Sequence, residues 1–268
     1  MKYAAFKLAG VALSLSLACS AYAEPLRIAA DPVPHAEILN FIKKQDPQLD
    51  LKIIELTSGV NANELLANGD IDANYFQHVP YLKDQEKALG KSFVVAATVH
   101  IEPLGIYSHK HNDLNSLPEG ATVAVPNNAA NLSRALFLLQ SKGLIKLATT
   151  FTDPATTLAT PKDIAENPHK LKILEVESPQ IPRALDDVDL AVINGNYALE
   201  AGLTPTKDAL GLESADHNPY ANILVTNPQL ANDPRIKELA KDLTSPQVAE
   251  FIRQRYNGSV IPVSAPQP

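Results

Sequence analysis

The stretch GDIDANYFQHVPYL, residues 69–82, carries the pattern that decides the fold of this chain. The segment before it, residues 63–68, has the apolar spacing of a helix, and Gly69 is the residue type that ends a helix in a left-handed conformation. Residues 71–76 then alternate between apolar and polar side chains, which predicts a short strand. We therefore predict that a helix leads directly into a strand here, as in α/β folds.

The end of this predicted strand presents side chains that suit a small ligand. Tyr75 and Phe76 supply aromatic faces, His78 supplies an imidazole, and Tyr81 follows after a proline. Aromatic faces beside hydrogen-bonding groups fit a ligand that has an apolar part and a polar part. The alternative is that the strand is amphipathic and that its aromatic side chains fill the core.

Short predicted strands alternate with predicted helices along the rest of the chain, which indicates an α/β fold with largely parallel sheets. The predicted strands besides 71–76 are 26–30, 51–56, 93–101, 105–108, 121–126, 171–176, 189–193 and 220–226. The further predicted helices are 35–44, 81–89, 129–142, 234–243 and 246–256. Residues 149–168, which are rich in Thr, Pro and Asp, are predicted to form a surface excursion.

This order of elements predicts two α/β lobes with a ligand cleft between them. We assign residues 24–106 and 225–268 to the first lobe and residues 107–224 to the second. Polar residues follow several of the predicted strands, and open α/β sheets bind ligands at the carboxyl ends of their strands. We therefore expect the binding site at these strand ends.

Residues 1–23 have the features of an export signal. Two lysines supply positive charge, and residues 8–17 form an apolar core that is too short to span a bilayer. Ala21 and Ala23 place small side chains where a signal peptidase cleaves. We predict cleavage between Ala23 and Glu24 and a soluble periplasmic protein.

Cys19, the single cysteine of the chain, lies inside that segment and opens an alternative. Residues 16–19, SLAC, resemble a lipoprotein cleavage box, in which the cysteine becomes the acylated first residue and anchors the protein to a membrane. The mature domain has no cysteine in either case, which excludes disulfides and thiolate chemistry from it. The chain carries a net charge of −7, which argues against nucleic acid or an anionic membrane surface as a partner.

Asn131 and Arg134 lie three residues apart in the predicted helix that follows strand 121–126, so they share one face of that helix. An arginine there can hold a carboxylate through two parallel hydrogen bonds, and the positive end of the helix dipole favours an anion. The pattern makes Arg134 a candidate for binding a carboxylate. The alternative is a solvated arginine paired with a surface acid.

Asparagines mark the ends of two other strands. Asn194 directly follows a predicted strand, whereas Asn196, two residues later, has the alternative role of a helix N-cap. Tyr220 and Asn222 lie near the start of the last predicted strand. Asparagine offers both donors and acceptors, which the head group of an amino acid needs, and aromatic faces attract its ammonium group.

The seven histidines raise the alternative of an exported enzyme that is metal-dependent or hydrolytic. His109 and His111 are the nearest thing to a pair of metal ligands, but no cysteine or carboxylate cluster adjoins them in the sequence, so we predict a solvated turn. The chain has no nucleophile elbow, phosphate-binding glycine loop or zinc-protease helix. We therefore predict a binding protein without metal or cofactor rather than an enzyme.

Six motifs, taken together, resemble the NlpA family of methionine-binding lipoproteins, which are substrate-binding components of methionine-uptake ABC transporters. They run in family order along the chain: PHAEIL (34–39), GDIDANYFQH (69–78), HIEPLGIYS (100–108), NLSRAL (131–136), PRALDDVDLAVINGNYALEAGL (182–203) and PYAN (219–222). The resemblance implies a two-lobed periplasmic binding protein of the type II-like fold that closes on an amino acid, usually methionine. It implies an inner-membrane ABC importer as partner, and we expect a monomer.

The resemblance also implies a role for each candidate residue. The pocket for the ligand's side chain would be lined by Tyr75, Phe76 and His78, with Tyr81 and His100 beside it. Arg134 would hold the ligand's carboxylate together with Asn131. The rest of the head group would be surrounded by Asn194, Asn196 and Asn222, whereas Tyr220 is a candidate only because of its position near the start of the last predicted strand. The chain departs from the family pattern at residues 127–130, NNAA, where the family often has an aspartate and a hydroxyl.

Overall fold

The computed structural model describes residues 24–57 and 59–263. The predicted signal peptide, residues 1–23, and Cys19 within it lie outside the described residues. None of the described helices is long and apolar enough to cross a membrane. The described chain forms two mixed β-sheets that are covered by helices, together with one small two-stranded sheet.

The strands and α-helices of the described residues alternate along most of the chain. The strands are β1 (Leu26–Ala30), β2 (Leu51–Glu55), β3 (Ala73–His78), β4 (Val94–Ile101), β5 (Gly105–Tyr107), β6 (Thr122–Pro126), β7 (Lys146–Leu147), β8 (Ile164–Glu166), β9 (Lys172–Val176), β10 (Leu190–Ile193), β11 (Gly211–Leu212), β12 (Asn222–Thr226) and β13 (Ile261–Pro262). The α-helices are α1 (Glu37–Gln45), α2 (Ala62–Asn68), α3 (Val79–Leu89), α4 (Ala129–Ser141), α5 (Gly195–Glu200), α6 (Pro205–Asp208), α7 (Pro234–Leu243) and α8 (Pro246–Tyr256).

The first sheet has the strand order β13-β4-β12-β3-β1-β2. β1 is parallel to β2 and β3, whereas β12 is antiparallel to its neighbours β3 and β4. Asn222, the first residue of β12, pairs with His78 at the end of β3 and with His100 near the end of β4. The carboxyl ends of β3 and β4 and the amino end of β12 therefore lie at one edge of the sheet.

The second sheet has the strand order β11-β5-β10-β6-β9. β6 is parallel to β9 and β10, and β5 is antiparallel to β10 and β11. Both sheets are thus mixed, and the prediction of largely parallel sheets is wrong. The reason is that β5 and β12 enter their sheets directly from the other sheet, so each begins at the edge where its neighbours end, whereas parallel neighbours need a longer crossover connection.

The chain crosses between the two sheets twice. Residues 102–104 lead from β4 to β5, and residues 213–221 lead from β11 back to β12. A division that follows the sheets falls within these two segments, whereas the predicted boundaries, after residues 106 and 224, cut through β5 and β12. The exact division into lobes stays a prediction. Below, the first and second lobes mean the first and second sheets with the helices packed on them.

Each lobe has its own core, because its sheet buries both faces. On β1, Ile28 packs in a cluster with α1, α7 and α8, whereas the next residue, Ala29, packs in a different cluster with residues of α2 and α3. On β6, Val123 and Val125 pack with α4, whereas Ala124 packs in the cluster that contains Ala198 of α5. Neither core needs the space between the lobes, which leaves that space for a ligand.

β3 begins at Ala73, two residues later than predicted, because Arg27 holds the loop before it. The backbone N–H and the guanidinium of Arg27 bind the carboxylate of Asp72, and Nη1 donates to the carbonyl of Asp70. β3 also ends two residues later than predicted, at His78, which places that imidazole at the edge of the sheet.

The predicted surface excursion, residues 149–168, contains the short strand β8, which pairs with β7.

Candidate ligand-binding site

A cavity of about 580 Å³ lies between the two lobes. Its volume falls within the range of roughly 300–1,000 Å³ that is typical of small-molecule sites. The first lobe lines it with the ends of β1 and β3 and the start of α3. The second lobe lines it with the first turns of α4 and α5 and with the segment 177–183. The cavity therefore occupies the position at strand ends that the sequence predicts.

The structure brings eight of the eleven candidate residues to this cavity. The lining residues among them are Phe76, His78, Tyr81, Asn131, Arg134, Asn194, Asn196 and Asn222. The other three candidates, Tyr75, His100 and Tyr220, are buried behind the lining residues. Tyr220 packs against the His78 ring and the Arg134 guanidinium. Ligand binding by any of the eleven stays a prediction.

Arg134, in the second turn of α4, is held by an ion pair that the sequence analysis missed. Its Nε and Nη2 donate to Glu213 Oε1 and Oε2 at 3.0 and 2.6 Å. Its Nη2 also donates to the backbone carbonyl of Glu102 at 2.9 Å, and the guanidinium lies 4.3 Å from the centre of the Tyr220 ring. No hydrogen bond among the described residues uses Nη1, so the two N–H groups of Nη1 are the donors left for a ligand.

Glu213 accepts the two parallel hydrogen bonds that the sequence predicts between Arg134 and the carboxylate of a ligand. Burial disfavours the ionised carboxyl of Glu213, but the charge and hydrogen bonds of Arg134 outweigh this effect, and the pKa of Glu213 lies below its ordinary value. The pair is therefore ionised on both sides. A carboxylate in the cavity meets an arginine that is already oriented and that has only Nη1 free.

His78 joins the two lobes. Its Nδ1 accepts a hydrogen bond from the backbone N–H of Tyr81 at 3.2 Å and so caps α3. Its Nε2 must then carry the hydrogen, which it donates to Asn131 Oδ1 of the second lobe at 3.0 Å. Burial and the nearby charge of Arg134 lower the pKa of His78 to about 3, so this imidazole is neutral at physiological pH.

Glu102, which follows β4, lies in a buried cluster with three ring side chains. Its Oε1 is 2.6 Å from His100 Nε2 and 3.2 Å from His35 Nε2, and the hydroxyl of Tyr75 is 2.5 Å from His100 Nδ1. A lone pair on either Nε2 would repel the carboxylate, so both Nε2 atoms carry hydrogen. No hydrogen bond among the described residues uses the other oxygen, Glu102 Oε2.

The protonation states of this cluster are set by burial and hydrogen bonds. Burial lowers the pKa of His35 to about 4, so its imidazole is a neutral donor. Burial also opposes ionisation of Glu102, but His35 and His100 outweigh it and keep the pKa of Glu102 below its ordinary value. The cluster therefore presents to the cavity an anionic carboxylate that is hydrogen-bonded to His100 and lies next to His35.

Among the described residues, His35, His100 and Glu102 form a buried group that could hold a metal ion. The ligand atoms of His35, His100 and Glu102 lie within 4.8 Å of one another. A metal ion needs the lone pairs of both imidazole nitrogens, whereas here both Nε2 atoms use a hydrogen to contact Glu102. The contacts fit a hydrogen-bonded cluster better than a metal site. His109 and His111, the pair considered from the sequence, contact carboxylates of the loop 186–189 at the surface.

Asn194 and Asn196 have roles that differ from the prediction. Asn194, not Asn196, occupies the N-cap position of α5, because β10 ends at Ile193 and the helix begins at Gly195. The side chain of Asn194 makes no capping hydrogen bond, and its buried Oδ1 has no partner among the described residues. Asn196 Nδ2 instead donates to Asp31 Oδ2 of the first lobe at 2.9 Å. Asn194 thus lies in the cavity wall with a buried acceptor that lacks a partner among the described residues.

Four residues that the sequence analysis did not select belong to the site: Asp31, His35, Glu102 and Glu213. Asp31 directly follows β1, so the rule that polar residues after strands bind ligands already pointed to it. His35 and Glu102 lie within two motifs that carried the family resemblance. His35 Nε2 also donates to Asn222 Oδ1 at 3.0 Å. Glu213 has no such local signal, because its partner Arg134 is 79 residues away in the sequence.

Comparison with known proteins decides the family. The sequence profile of the NlpA lipoprotein family matches residues 26–264. The chain belongs to the NlpA lipoprotein family. The family expected from the six motifs is thereby confirmed, and so is the α/β fold of a two-lobed binding protein, because solved structures of such proteins superpose on nearly the whole described chain.

Several similar proteins have names that describe ligand binding. A nutrient-binding protein from Burkholderia cenocepacia, solved bound to methionine, is 44% identical, has a TM-score of 0.84, and the match covers 89% of this chain and 99% of that one. An ABC-transporter periplasmic substrate-binding protein from Coxiella burnetii is 39% identical with a TM-score of 0.82, over 89% and 100% of the two chains. The D-methionine-binding lipoprotein MetQ of Salmonella typhi is 42% identical over 84% of this chain and 82% of that protein.

Proposed function

We propose that this family member captures L-methionine, or a close analogue, in the cavity between its lobes and delivers it to an inner-membrane ABC importer. The observation that carries this proposal is the placement of open donors and acceptors in the cavity. Arg134 Nη1 offers two N–H groups, while Glu102 Oε2 offers an acceptor. The hydrogen bond at 2.9 Å from Arg134 Nη2 to the backbone carbonyl of Glu102 keeps these two residues next to each other, so a zwitterionic head group can reach both side chains.

The rest of the cavity supplies a pocket for an apolar side chain. Phe76 and Tyr81 line it together with Leu56 and Val60 of the first lobe. The rings of Phe76 and Tyr81 meet edge to face, with centroids 5.9 Å apart. Burial of one apolar side chain contributes ~1.5–3 kcal/mol, and each hydrogen bond to a charged group contributes ~1.5–3 kcal/mol. Several head-group contacts therefore dominate affinity, and the aromatic pocket selects the side chain.

The mechanism is capture by closure of the two lobes. Two hydrogen bonds join the lobes beside the cavity: His78 to Asn131 and Asn196 to Asp31. A ligand that contacts Arg134 in one lobe and Glu102 at the crossing adds to these links, so it stabilises the closed form over an open one. We expect binding without turnover, because among the described residues that line the cavity none is a nucleophile paired with a base.

Isothermal titration calorimetry tests the proposal with a panel that removes one feature of methionine at a time. We expect L-methionine to bind with one site per chain, and we expect losses of about tenfold or more for N-acetylmethionine, which lacks the cation, and for methionine methyl ester, which lacks the anion. Norleucine, which lacks the sulfur, should bind more weakly but measurably. D-methionine belongs in the panel because one relative is named for it. Absence of binding by either methionine enantiomer would sink the proposal.

The proposal also covers the export of the protein and its transporter partner. We expect cleavage between Ala23 and Glu24, with a lipid on Cys19 as the alternative that the family's lipoprotein name supports. The intact mass of the mature protein from an exporting host separates the two, because acylation adds the mass of the lipid chains to a chain that begins at residue 19. The name of the Coxiella relative supports an ABC importer as partner. We expect a monomer, which light scattering after gel filtration checks.

A further inference from the structure

Asp31 brings a second carboxylate to the cavity beside that of Glu102. Both residues line the cavity, and Asp31 is 7% and Glu102 is 5% exposed. The first turn of α5 contacts both of them. Asn196 donates to Asp31 Oδ2 at 2.9 Å, and a Cβ on Gly195 would lie 2.8 Å from Glu102 Cβ, so only glycine allows the helix to pack this closely. The first turn of α5 thus contacts two buried acidic residues that line the same cavity.

The two carboxyl groups differ in the partners that the protein gives them. Glu102 accepts a hydrogen bond from His100, and its Oε1 also lies 3.2 Å from His35 Nε2. Among the described residues, Asn196 is the only side chain that donates to the Asp31 carboxyl, and no ion pair includes Asp31. A buried carboxylate with one neutral donor is strongly disfavoured, because burial removes its hydration without replacing it. Asp31 therefore lacks the means by which Glu102 stays ionised.

The charged groups that act on Asp31 all raise the pKa of its carboxyl. Burial, followed by the negative charges of Glu102 and Glu200, raises the pKa of the Asp31 carboxyl well above its ordinary value. Tyr81 and Tyr197 also face Asp31, and their hydroxyls are neutral, with pKa values raised by burial and by Asp31 itself. Arg134, the buried guanidinium of the cavity, is already paired with Glu213. In the empty cavity the protonated form of the Asp31 carboxyl is thus favoured in comparison with an ordinary aspartate.

An ammonium group changes this balance. It has three N–H donors, and the cavity offers two carboxyl oxygens that accept no hydrogen bond from the described residues: Glu102 Oε2 and Asp31 Oδ1. A positive charge next to Asp31 favours its ionised form, as any opposite charge within about 4–6 Å does. The ammonium group of the ligand therefore supplies the positive charge that Asp31 lacks within the described residues.

We propose that Asp31 and Glu102 together bind the ammonium group of the ligand, and that Asp31 releases its proton to the solvent when that group binds. This inference rests on the proposed function, because it takes an amino acid as the ligand. The balance is simple: the ligand enters as a zwitterion, one proton leaves Asp31 for the buffer, and no covalent bond forms. Asp31 then acts as a selector for a cationic nitrogen over a hydroxyl or carbonyl at the same position.

The coupling fixes the direction of the pH dependence. A carboxyl that is protonated in the free protein and ionised in the complex makes affinity rise with pH, by up to about tenfold per pH unit, until the free-state pKa is passed. His35 and His78 do not oppose this trend, because burial keeps their pKa values at about 4 and about 3. If Asp31 only tethers α5 through Asn196, affinity stays independent of pH over the same range.

The test is calorimetry of L-methionine binding to the mature protein in paired buffers of different ionisation enthalpy, between about pH 5 and pH 8. We expect release of up to one proton per bound methionine. Asp31→Asn keeps an oxygen for Asn196 but has no proton to release, so it should show no release, a flat pH profile and affinity about tenfold weaker at the upper end. Glu55→Gln, which removes an exposed carboxylate outside the cavity, should behave as the unaltered protein does.

The 2-hydroxy analogue of methionine provides a second readout that needs no variant. It lacks the ammonium group, so it should bind more weakly and with no proton release. Methionine binding without proton release at any pH tested, or equal release from Asp31→Asn and the unaltered protein, overturns this inference and leaves the proposed function intact. If methionine does not bind at any pH, the proposed function fails and the inference fails with it.

Discussion

Arg134 and Glu213 form a two-point ion pair in which both side chains are largely buried, with exposures of 4% and 15%. The pair orients the guanidinium so that Nε and Nη2 face Glu213 and Nη1 remains for a ligand. The protein thus neutralises the charge of its own arginine before any ligand arrives. A ligand's carboxylate contributes a hydrogen bond to a fixed donor rather than a new ion pair.

Arg134→Lys should weaken methionine binding by about tenfold or more, because lysine cannot contact both oxygens of Glu213 and a ligand in one fixed geometry. Calorimetry at constant pH measures the loss. Arg183→Ala is the matched control, because Arg183 also lines the cavity but is exposed, and it should change affinity less than about threefold. Equal losses in both variants would show that only the net charge of the cavity matters.

Arg134→Ala should also destabilise the fold, since it leaves Glu213 buried without its cation. Breaking such a pair by removing one partner costs about 3–5 kcal/mol. The double variant Arg134→Ala/Glu213→Gln removes both charges and should recover a large part of that loss, while methionine affinity stays low. Urea unfolding of the single and double variants provides the comparison. Equal stability of the two variants would contradict a buried, ionised Glu213.

Asp31→Asn should make the ligand-free protein more stable at neutral pH. The folded pKa of Asp31 is raised above its unfolded value, so its contribution to stability is fully present below the unfolded pKa and is lost as pH rises toward the folded pKa. The loss is about 1.4 kcal/mol per pH unit within that window. Asparagine does not titrate, so the variant should match the unaltered protein near pH 4 and gain over it at higher pH. A variant that is less stable at every pH would contradict the raised pKa.

Asn222→Ala should weaken methionine binding by about tenfold with little change in melting temperature. Asn222 lines the cavity, and its Oδ1 accepts from His35 Nε2, which keeps Glu102 as a second acceptor after the substitution. Asn227→Ala is the control, because Asn227 follows the same strand at its far end and donates to the carbonyl of Leu66 at 2.6 Å. That variant should lower the melting temperature and leave affinity unchanged. The reverse pattern would remove Asn222 from the site.

Local signals in the sequence predict the helices well. α7 and α8 have the predicted bounds, because each begins with a proline after a capping side chain, Asp233 or Ser245, and then shows a clear apolar stripe. α3 begins two residues earlier than predicted, since the imidazole of His78 caps it and histidine is not a usual capping residue. The mixed sheets escape prediction because the direction of β12 depends on where the chain returns from the other lobe.

In the candidate site, too, local sequence patterns predict some residues but not the contacts between distant ones. Arg134 and Asn131 follow from helical spacing, and eight of the eleven candidates do line the cavity. The contacts that set their chemistry are distant in sequence: Glu213 is 79 residues from Arg134, and Asn196 is 165 residues from Asp31. No local pattern encodes such pairs. The family motifs could have pointed to His35 and Glu102, because both lie inside stretches chosen for their resemblance.

Native mass spectrometry of the mature protein, purified from the exporting host without refolding, tests the central claim most directly. We predict a retained adduct with the mass of methionine, one per chain, which is lost or strongly reduced in the double variant Arg134→Ala/Glu213→Gln. A protein that is empty, and that shows no thermal shift with any member of an amino-acid panel, would contradict capture of methionine in this cavity.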